Sequence, residues 1–348
     1  MTSDAALDAL LLPLSQGLLT AVPDTLFLRA REGAGLHALG LRDTLTCVQP
    51  FKPWAAALER SGFDVTADEP TRAFDQVWLL PSRQREEARA SLARAFDACV
   101  PGGVVLASVA NDEGAKAIEG DFKKLAGGLT GGLTKFHCRV FWATRDDARI
   151  DTELLSQWCK ADAPRSILDG RFQSRPGVFA WNRVDAGSAL LAEHLPSKIS
   201  GVAADLGAGW GFLSDALLAR NPGITTLDAF EADARALELA KHNLAAQSER
   251  CDIRFHWHDV SAGLPAGRKY DVIVSNPPFH DTGKASQPEI GKRFLHVAAD
   301  SLNPHGAFWM VANAHLPYEA LLGERFGMVK VVAVAKGFKV FEARGPRR

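Results

Sequence analysis

From Val202 onward, short apolar-rich runs alternate with longer stretches that mix apolar and polar positions. Val202–Leu206, Thr225–Phe230, Ile253–Trp257, Val272–Ser275 and Phe308–Ala312 are the runs, and their character is that of strands covered on both faces. Between them, Phe212–Arg220, Asp233–Gln247 and Glu289–Leu302 read as helices. Val329–Val334 and Phe338–Ala343 alternate around Lys336-Gly337, which predicts an antiparallel pair closing the sheet. The second half therefore reads as a doubly wound, mostly parallel α/β sheet with helices on both faces.

The same pattern occurs earlier in the chain. Phe74-Asp75-Gln76-Val77-Trp78-Leu79-Leu80-Pro81 resembles Tyr270-Asp271-Val272-Ile273-Val274-Ser275-Asn276-Pro277. Ala93–Asn111 resembles Val297–Asn313, and Lys135–Ala143 echoes Lys336–Ala343. Three matches in one order, at an offset of about 200, predict a duplication. The expected fold is α/β, two tandem Rossmann-like domains, each a doubly wound and mostly parallel sheet with a C-terminal antiparallel pair, joined near residues 160–185.

Composition agrees with two cores. The chain has 348 residues, 47% hydrophobic and 23% charged, enough for roughly two domains and too apolar for a disordered polymer. No window has the length of uninterrupted apolar residues that a membrane helix needs, and the first eighteen residues carry Asp4 and Asp8 without a basic lead, so neither a membrane partner nor a signal peptide is expected. A cytoplasmic protein is the expectation. The five cysteines stand at 47, 99, 138, 159 and 251 with no Cys-x-x-Cys pair, so neither disulfides nor a metal site is expected. Net charge is −1, which speaks against a wholesale phosphate-binding surface. The stretch from Met328 onward is the exception, with six cations against one anion, and suits a local patch for a polyanion.

The candidate chemistry lies at the ends of the expected strands. Asp205-Leu206-Gly207-Ala208-Gly209-Trp210-Gly211 joins the first strand of the second half to its first helix. Glycines at alternate positions let backbone approach a ligand, and the helix start offers free N–H donors. Glu231 ends the next strand, 24 residues after Gly207, where a carboxylate can accept from both ribose hydroxyls of an adenosine-bearing cofactor. Asp259 ends the third, placed for an adenine amino group. Spacing alone fits a dinucleotide equally well. Asp205 decides between them, because a carboxylate before the glycines repels a pyrophosphate but complements the cationic methionine end of S-adenosylmethionine.

Asn276-Pro277-Pro278-Phe279 follows the fourth strand at the carboxyl edge, where open α/β sheets bind ligands. Two prolines fix φ, withhold N–H donors and hold the carbonyls of the turn outward. An exocyclic amine on a base is a poor nucleophile, since its lone pair is delocalised into the ring. If Asn276 Oδ1 and the Pro277 carbonyl accept its two hydrogens, the nitrogen can pyramidalise toward a methyl group. Phe279 offers a face for a base that has left its stack.

These motifs together resemble class I S-adenosylmethionine-dependent methyltransferases that modify planar conjugated amines. Pro176-Gly177-Val178-Phe179, Val184–Leu191, Asn276-Pro277-Pro278-Phe279-His280, Val311–Tyr318 and Gly337–Phe341 narrow the resemblance to the bacterial ribosomal RNA guanine-N2 methyltransferases, nearest to those acting on the small subunit. The resemblance implies that Asp205, Gly207, Gly209 and Gly211 hold the methionine end of the cofactor, Glu231 the ribose and Asp259 the adenine. It implies that Asn276, Pro277, Pro278 and Phe279 hold the target guanine, and that Asp185 and Gly187 lie in a segment covering the cofactor. It also implies a degenerate, non-catalytic methyltransferase-like domain over residues 1–160, a linker and covering segment over 161–185, and a catalytic domain over 186–348. The implied partner is ribosomal RNA or the small ribosomal subunit, for which a monomer suffices.

The first half departs from this pattern. Leu80-Pro81-Ser82-Arg83 stands where the second half has Asn276-Pro277-Pro278-Phe279, and only Gly33-Ala34-Gly35 resembles a cofactor loop. Arg83, Arg85 and Arg89 offer this half a possible RNA-docking face. Rival readings are a large-subunit guanine enzyme, a protein glutamine-N5 or adenine-N6 methyltransferase, and a ribosome-assembly binder without activity.

Overall fold

Parallel strands covered on both faces must be joined by crossovers, and the helices supplying them bury the apolar runs. The computed structural model describes residues 4–278 and 287–347. The chain divides into two compact units, residues 1–164 with 175–177, and residues 165–174 with 178–348.

In the first unit the strands are β1 (Thr25–Leu28), β2 (Leu45–Val48), β3 (Asp64–Thr66), β4 (Phe74–Leu79), β5 (Cys99–Ala110), β6 (Gly131–Lys135) and β7 (Cys138–Thr144). They pair in the order β3-β2-β1-β4-β5-β7-β6, the first five parallel and the last two antiparallel. Side chains alternate between two cores: Leu26 and Leu28 of β1 pack on one face, Phe27 on the other.

The second unit opens with a small hairpin, β8 (Arg165–Ile167) and β9 (Phe172–Ser174). Its main sheet contains β10 (Ser200–Leu206), β11 (Gly223–Glu231), β12 (Asp252–Trp257), β13 (Tyr270–Ser275), β14 (Leu302–Asn313), β15 (Phe326–Ala335) and β16 (Phe338–Pro346). The order β12-β11-β10-β13-β14-β16-β15 repeats the topology of the first unit strand for strand, as the internal repeat predicts. Every expected strand and helix of this half is present. The Asp233–Gln247 helix is shorter than expected, spanning Ala234–Asn243: Asp233 caps its start by accepting the Arg235 N–H, and past Asn243 the chain turns into a short 3-10 turn at Gln247–Glu249. The closing pair turns at Lys336-Gly337, both at positive φ, the geometry a two-residue hairpin demands.

The chain runs outward from β10 through β11 and β12, then returns to lay β13 on the other side of β10, with Leu206 beside Ser275. The Ser275 hydroxyl donates to the Leu206 carbonyl at 2.7 Å and pins the two strand ends together.

Asp228 of β11 is 0% exposed and ties this half of the sheet. Its carboxylate meets His256 Nε2 of β12 at 2.8 Å and accepts from the Tyr270 hydroxyl at 2.9 Å and from the Arg268 guanidinium. Burial pushes this carboxyl up, but hydrogen bonds from His256, Arg268 and Tyr270 outweigh it and hold it at about 2. A depressed carboxyl adds stability in full above its ordinary value of about 3.9 and loses it as the pH falls toward the depressed one. Asp228→Ala should cost about 2–3 kcal/mol in urea unfolding, less than a fully enclosed pair because Arg268 is part-exposed. The same variant should show a flatter decline in stability between about pH 4 and pH 2 than the parent, measured by denaturant midpoints across that range.

Candidate active site

The loop Gly207–Gly211 leaves β10 and starts the helix Phe212–Arg220. Gly207, Gly209 and Gly211 have φ of 80°, 56° and 94°, a region side chains other than glycine rarely enter. A Cβ on Gly209 would meet nothing within 4 Å, so the loop leaves open space there. Gly207 and Ala208 donate to the Phe230 carbonyl, both at 2.9 Å. Gly209 N–H donates to Glu231 Oε2 at 2.7 Å, and Glu231 Oε1 accepts from the Asp233 N–H at 2.8 Å. Glu231 thus braces the glycine loop and closes β11 with the same carboxylate. Trp210, the bulky residue of the loop, packs edge-on against Phe172 of β9 with ring centroids 5.2 Å apart. Asn243 bonds both Gln173 and the Trp210 carbonyl, which holds the hairpin β8–β9 beneath the loop.

A cleft opens beside these glycines, lined by Gly207, Gly209, Asp185, Ser188, Asn276 and the 61%-exposed Phe179 among others. It lies past the paired carboxyl ends of β10 and β13, where the strand order reverses, the position at which doubly wound sheets bind ligands. Asp205 lies behind it and is sealed from solvent. Its Oδ2 accepts from the Ser214 hydroxyl at 2.7 Å, and its Oδ1 has no partner among the described residues. Burial pushes the Asp205 carboxyl up to about 7 against the opposing Ser214 bonds. Burial likewise pushes Glu231 up to about 7, although backbone N–H groups of Asp233 and Gly209 work against it. Two neighbouring strand ends therefore carry carboxyls that a cationic or hydroxyl-bearing ligand would ionise.

Asn276 directly follows β13. Its Nδ2 donates to Asp185 Oδ2 at 2.9 Å and to Ser188 Oγ at 2.8 Å. Pro277 is buried and Pro278 exposed, while Phe279 lies outside the described residues. Asp185 caps the helix Ala186–His194 by accepting the Ser188 N–H at 2.9 Å, and Gly187 sits in that first turn. Asp259 caps the short turn Val260–Ala262, its Oδ1 accepting from Ser261 N–H at 2.9 Å and from the Ser261 hydroxyl at 2.6 Å.

The structure brings Asp205, the three glycines, Glu231, Asn276, Asp185 and Gly187 into one neighbourhood, with Asp259 at the next strand end. Sequence reasoning missed Ser188 and Ser214. Ser188 stood three residues after a capping Asp, a recognisable signal; Ser214 had none beyond its place in the helix after the glycines. Four of the cations considered for RNA are paired with carboxylates. Arg85 and Arg89 both bind Asp121 at 3.2 and 2.8 Å, Lys339 binds Glu319, and Arg344 binds Glu342 at 2.7 Å. Among the described residues no cluster suits a metal ion and no helix is long and apolar enough to cross a membrane.

Comparison with known proteins agrees with this geometry. The family described as methyltransferase small domain matches residues 169–342. A ribosomal RNA small subunit methyltransferase C of Pseudomonas paraeruginosa is 34% identical over 82% of this chain and 83% of its own. A ribosomal RNA large subunit methyltransferase G of Alcanivorax borkumensis is 35% identical over 54% of this chain and 47% of its own. Among solved structures, a 16S rRNA N2 methyltransferase of T. thermophilus, in complex with AdoMet and guanosine, superposes with a TM-score of 0.79 at 25% identity, covering 98% of this chain and 92% of that one. The chain belongs to the family of ribosomal RNA small subunit methyltransferases C and carries their methyltransferase small domain.

Proposed function

We infer that the protein transfers a methyl group from S-adenosylmethionine to the exocyclic N2 amine of a guanine in small-subunit ribosomal RNA. One arrangement carries this reading: the Asn276 amide stands beside the glycine loop at the paired carboxyl ends of β10 and β13, both lining one cleft. Similarity to a small-subunit enzyme over 82% of this chain and 83% of that one, against 54% and 47% for a large-subunit one, favours the small subunit.

The cofactor fits the residues present. The unpartnered, buried Oδ1 of Asp205 and the open space at Gly209 suit the methionine end, with Gly207 and Gly211 shaping the loop. Glu231 has lone pairs beyond those used by Gly209 and Asp233 for the ribose hydroxyls, and Asp259 faces the adenine. Asp185 and Gly187 belong to the covering segment. When bound, the sulfonium supplies an electrophilic methyl. Asn276 Oδ1 and the Pro277 carbonyl accept the two hydrogens of the base amine and orient its lone pair, Pro278 holds the turn rigid, and Phe279 is the aromatic residue that the sequence offers for the base. No strong base is required before transfer, because the amine proton becomes acidic as the N–C bond forms.

The first unit takes no part in this chemistry. A Cβ on Gly33 or Gly35 would lie 2.6 Å from Leu7 or Leu11, so its glycine loop is filled by the N-terminal helices. At the end of β2, Gln49 stands in place of a carboxylate and donates to the Ala30 carbonyl at 2.6 Å. With Arg85 and Arg89 paired, RNA contacts lean on shape and unstacked bases more than on phosphate.

Glu231→Ala should weaken S-adenosylmethionine binding by about 10- to 100-fold in calorimetry, through loss of charge-assisted bonds. Asn276→Ala should leave that affinity intact and lower turnover, the pattern of a contact made in the transition state; equal loss of both would contradict the division of roles.

Cofactor affinity should depend on pH. A ligand that favours the ionised forms of Asp205 and Glu231 displaces their protons, so binding strengthens as the pH rises through about 7 and levels off above. Each group contributes about tenfold between pH 6 and pH 8. Calorimetry in buffers of different ionisation enthalpy should register proton release, and a flat profile would contradict it.

Incubation with labelled cofactor and separate small- and large-subunit substrates, then digestion to nucleosides, tests the activity itself. N2-methylguanosine in small-subunit RNA is expected. Label in N6-methyladenosine, in protein glutamine or only in large-subunit RNA would overturn the assignment.

A further inference from the structure

We propose that Asp185 and Ser188 are positioning residues that force Asn276 to present a hydrogen-bond acceptor, and that this clamp is what selects a base bearing an exocyclic amine. The inference rests on the guanine-amine reading above.

A primary amide is nearly symmetric in shape, and a half-turn exchanges its donor for its acceptor with little steric consequence. An untied asparagine would offer either group to a base. Asn276 is tied. Its Nδ2 carries two hydrogens, and two acceptors stand at 2.9 and 2.8 Å, Asp185 Oδ2 and Ser188 Oγ. Ser188 could donate to a flipped amide as readily as it accepts, but an ionised carboxylate accepts only. Turning the amide over would set Asn276 Oδ1 against Asp185 Oδ2 with no hydrogen between them. Asp185 therefore dictates the orientation and Ser188 takes the second hydrogen, which leaves Oδ1 as the group available to a ligand.

The clamp is itself held. Asp185 Oδ2 also accepts the Ser188 N–H at 2.9 Å as cap of the helix Ala186–His194, so the bond that starts the helix fixes the carboxylate. Gly187 lets this turn come close to β16: a Cβ there would lie 3.1 Å from the Phe338 ring and 3.1 Å from Asp185 Oδ2. All three side chains of the clamp line the cleft, although Asn276 is 91 and 88 residues from its partners in sequence.

Asp185→Ser separates orientation from folding, because serine caps a helix as well as aspartate does but its hydroxyl donates as readily as it accepts and so no longer excludes a flipped Asn276. The readout is equilibrium binding of guanosine and of inosine, which lacks the amine, to the protein saturated with the unreactive product S-adenosylhomocysteine. The parent should prefer guanosine by about tenfold or more, the worth of one or two hydrogen bonds. Asp185→Ser should bring the two nucleosides toward parity, at saturating S-adenosylhomocysteine for each variant, while the thermal midpoint stays at the parent value, and kcat on RNA should fall about tenfold with KM within about twofold. Ser188→Ala, which removes one acceptor and no cap, should move the same ratio in the same direction by less. A purely structural role would weaken both nucleosides alike and keep the ratio. A parent that prefers guanosine, with variants that keep the preference, would overturn the clamp. A parent with no preference would overturn the amine-selecting role together with the reading on which it rests, and nucleoside mapping then reports independently whether guanine is the substrate.

Discussion

The adjacency of β10 and β13 is the constraint on which the rest depends. Because the chain builds β11 and β12 on one side of β10 and then returns to the other, the loops leaving these two strands emerge side by side with no strand between them. The glycine loop and the Asn-Pro-Pro turn are brought together by this pairing alone, although about 70 residues separate Leu206 from Asn276. Ser275 holds the junction through the Leu206 carbonyl, and a slip of one residue would turn its hydroxyl to the opposite face.

That junction is loaded with groups that burial opposes. Asp205 is fully enclosed with one oxygen unpartnered, and Glu231 has its carboxylate directed at backbone N–H donors. An unsatisfied buried acceptor costs free energy, which the surrounding core supports. Satisfied polar clusters lie elsewhere in the same sheet, at Asp228, where all the neighbours match. The contrast distinguishes a site prepared for a ligand from a network that serves the fold.

The two units share a strand order but differ at the corresponding loops. The first unit keeps the strand order, since that follows from apolar patterning and crossover handedness. Leu7 and Leu11 close its glycines, and Gln49 satisfies itself on the backbone. Packing has taken over the space that the second unit keeps open at Gly209.

Sequence by itself determined the sheet, the repeat and the order of the strand-end groups, because these depend on local periodicity and on glycine and proline chemistry, which short stretches of chain encode. The strands from Val202 to Ala343 lie where their apolar runs place them, and Asp205, Glu231 and Asn276 stand at the strand ends that their positions imply. Tertiary structure alone decided how those groups are used. Asp185 could be read as a helix cap, but its bond to Asn276 joins residues 91 apart; the burial of Asp205, and the pairing of Arg85 and Arg89 with Asp121 across two helices, follow from packing that no local pattern records. Side-chain orientation and solvent exclusion are properties of elements already assembled, and so they become visible only once the sheet has brought distant segments into contact.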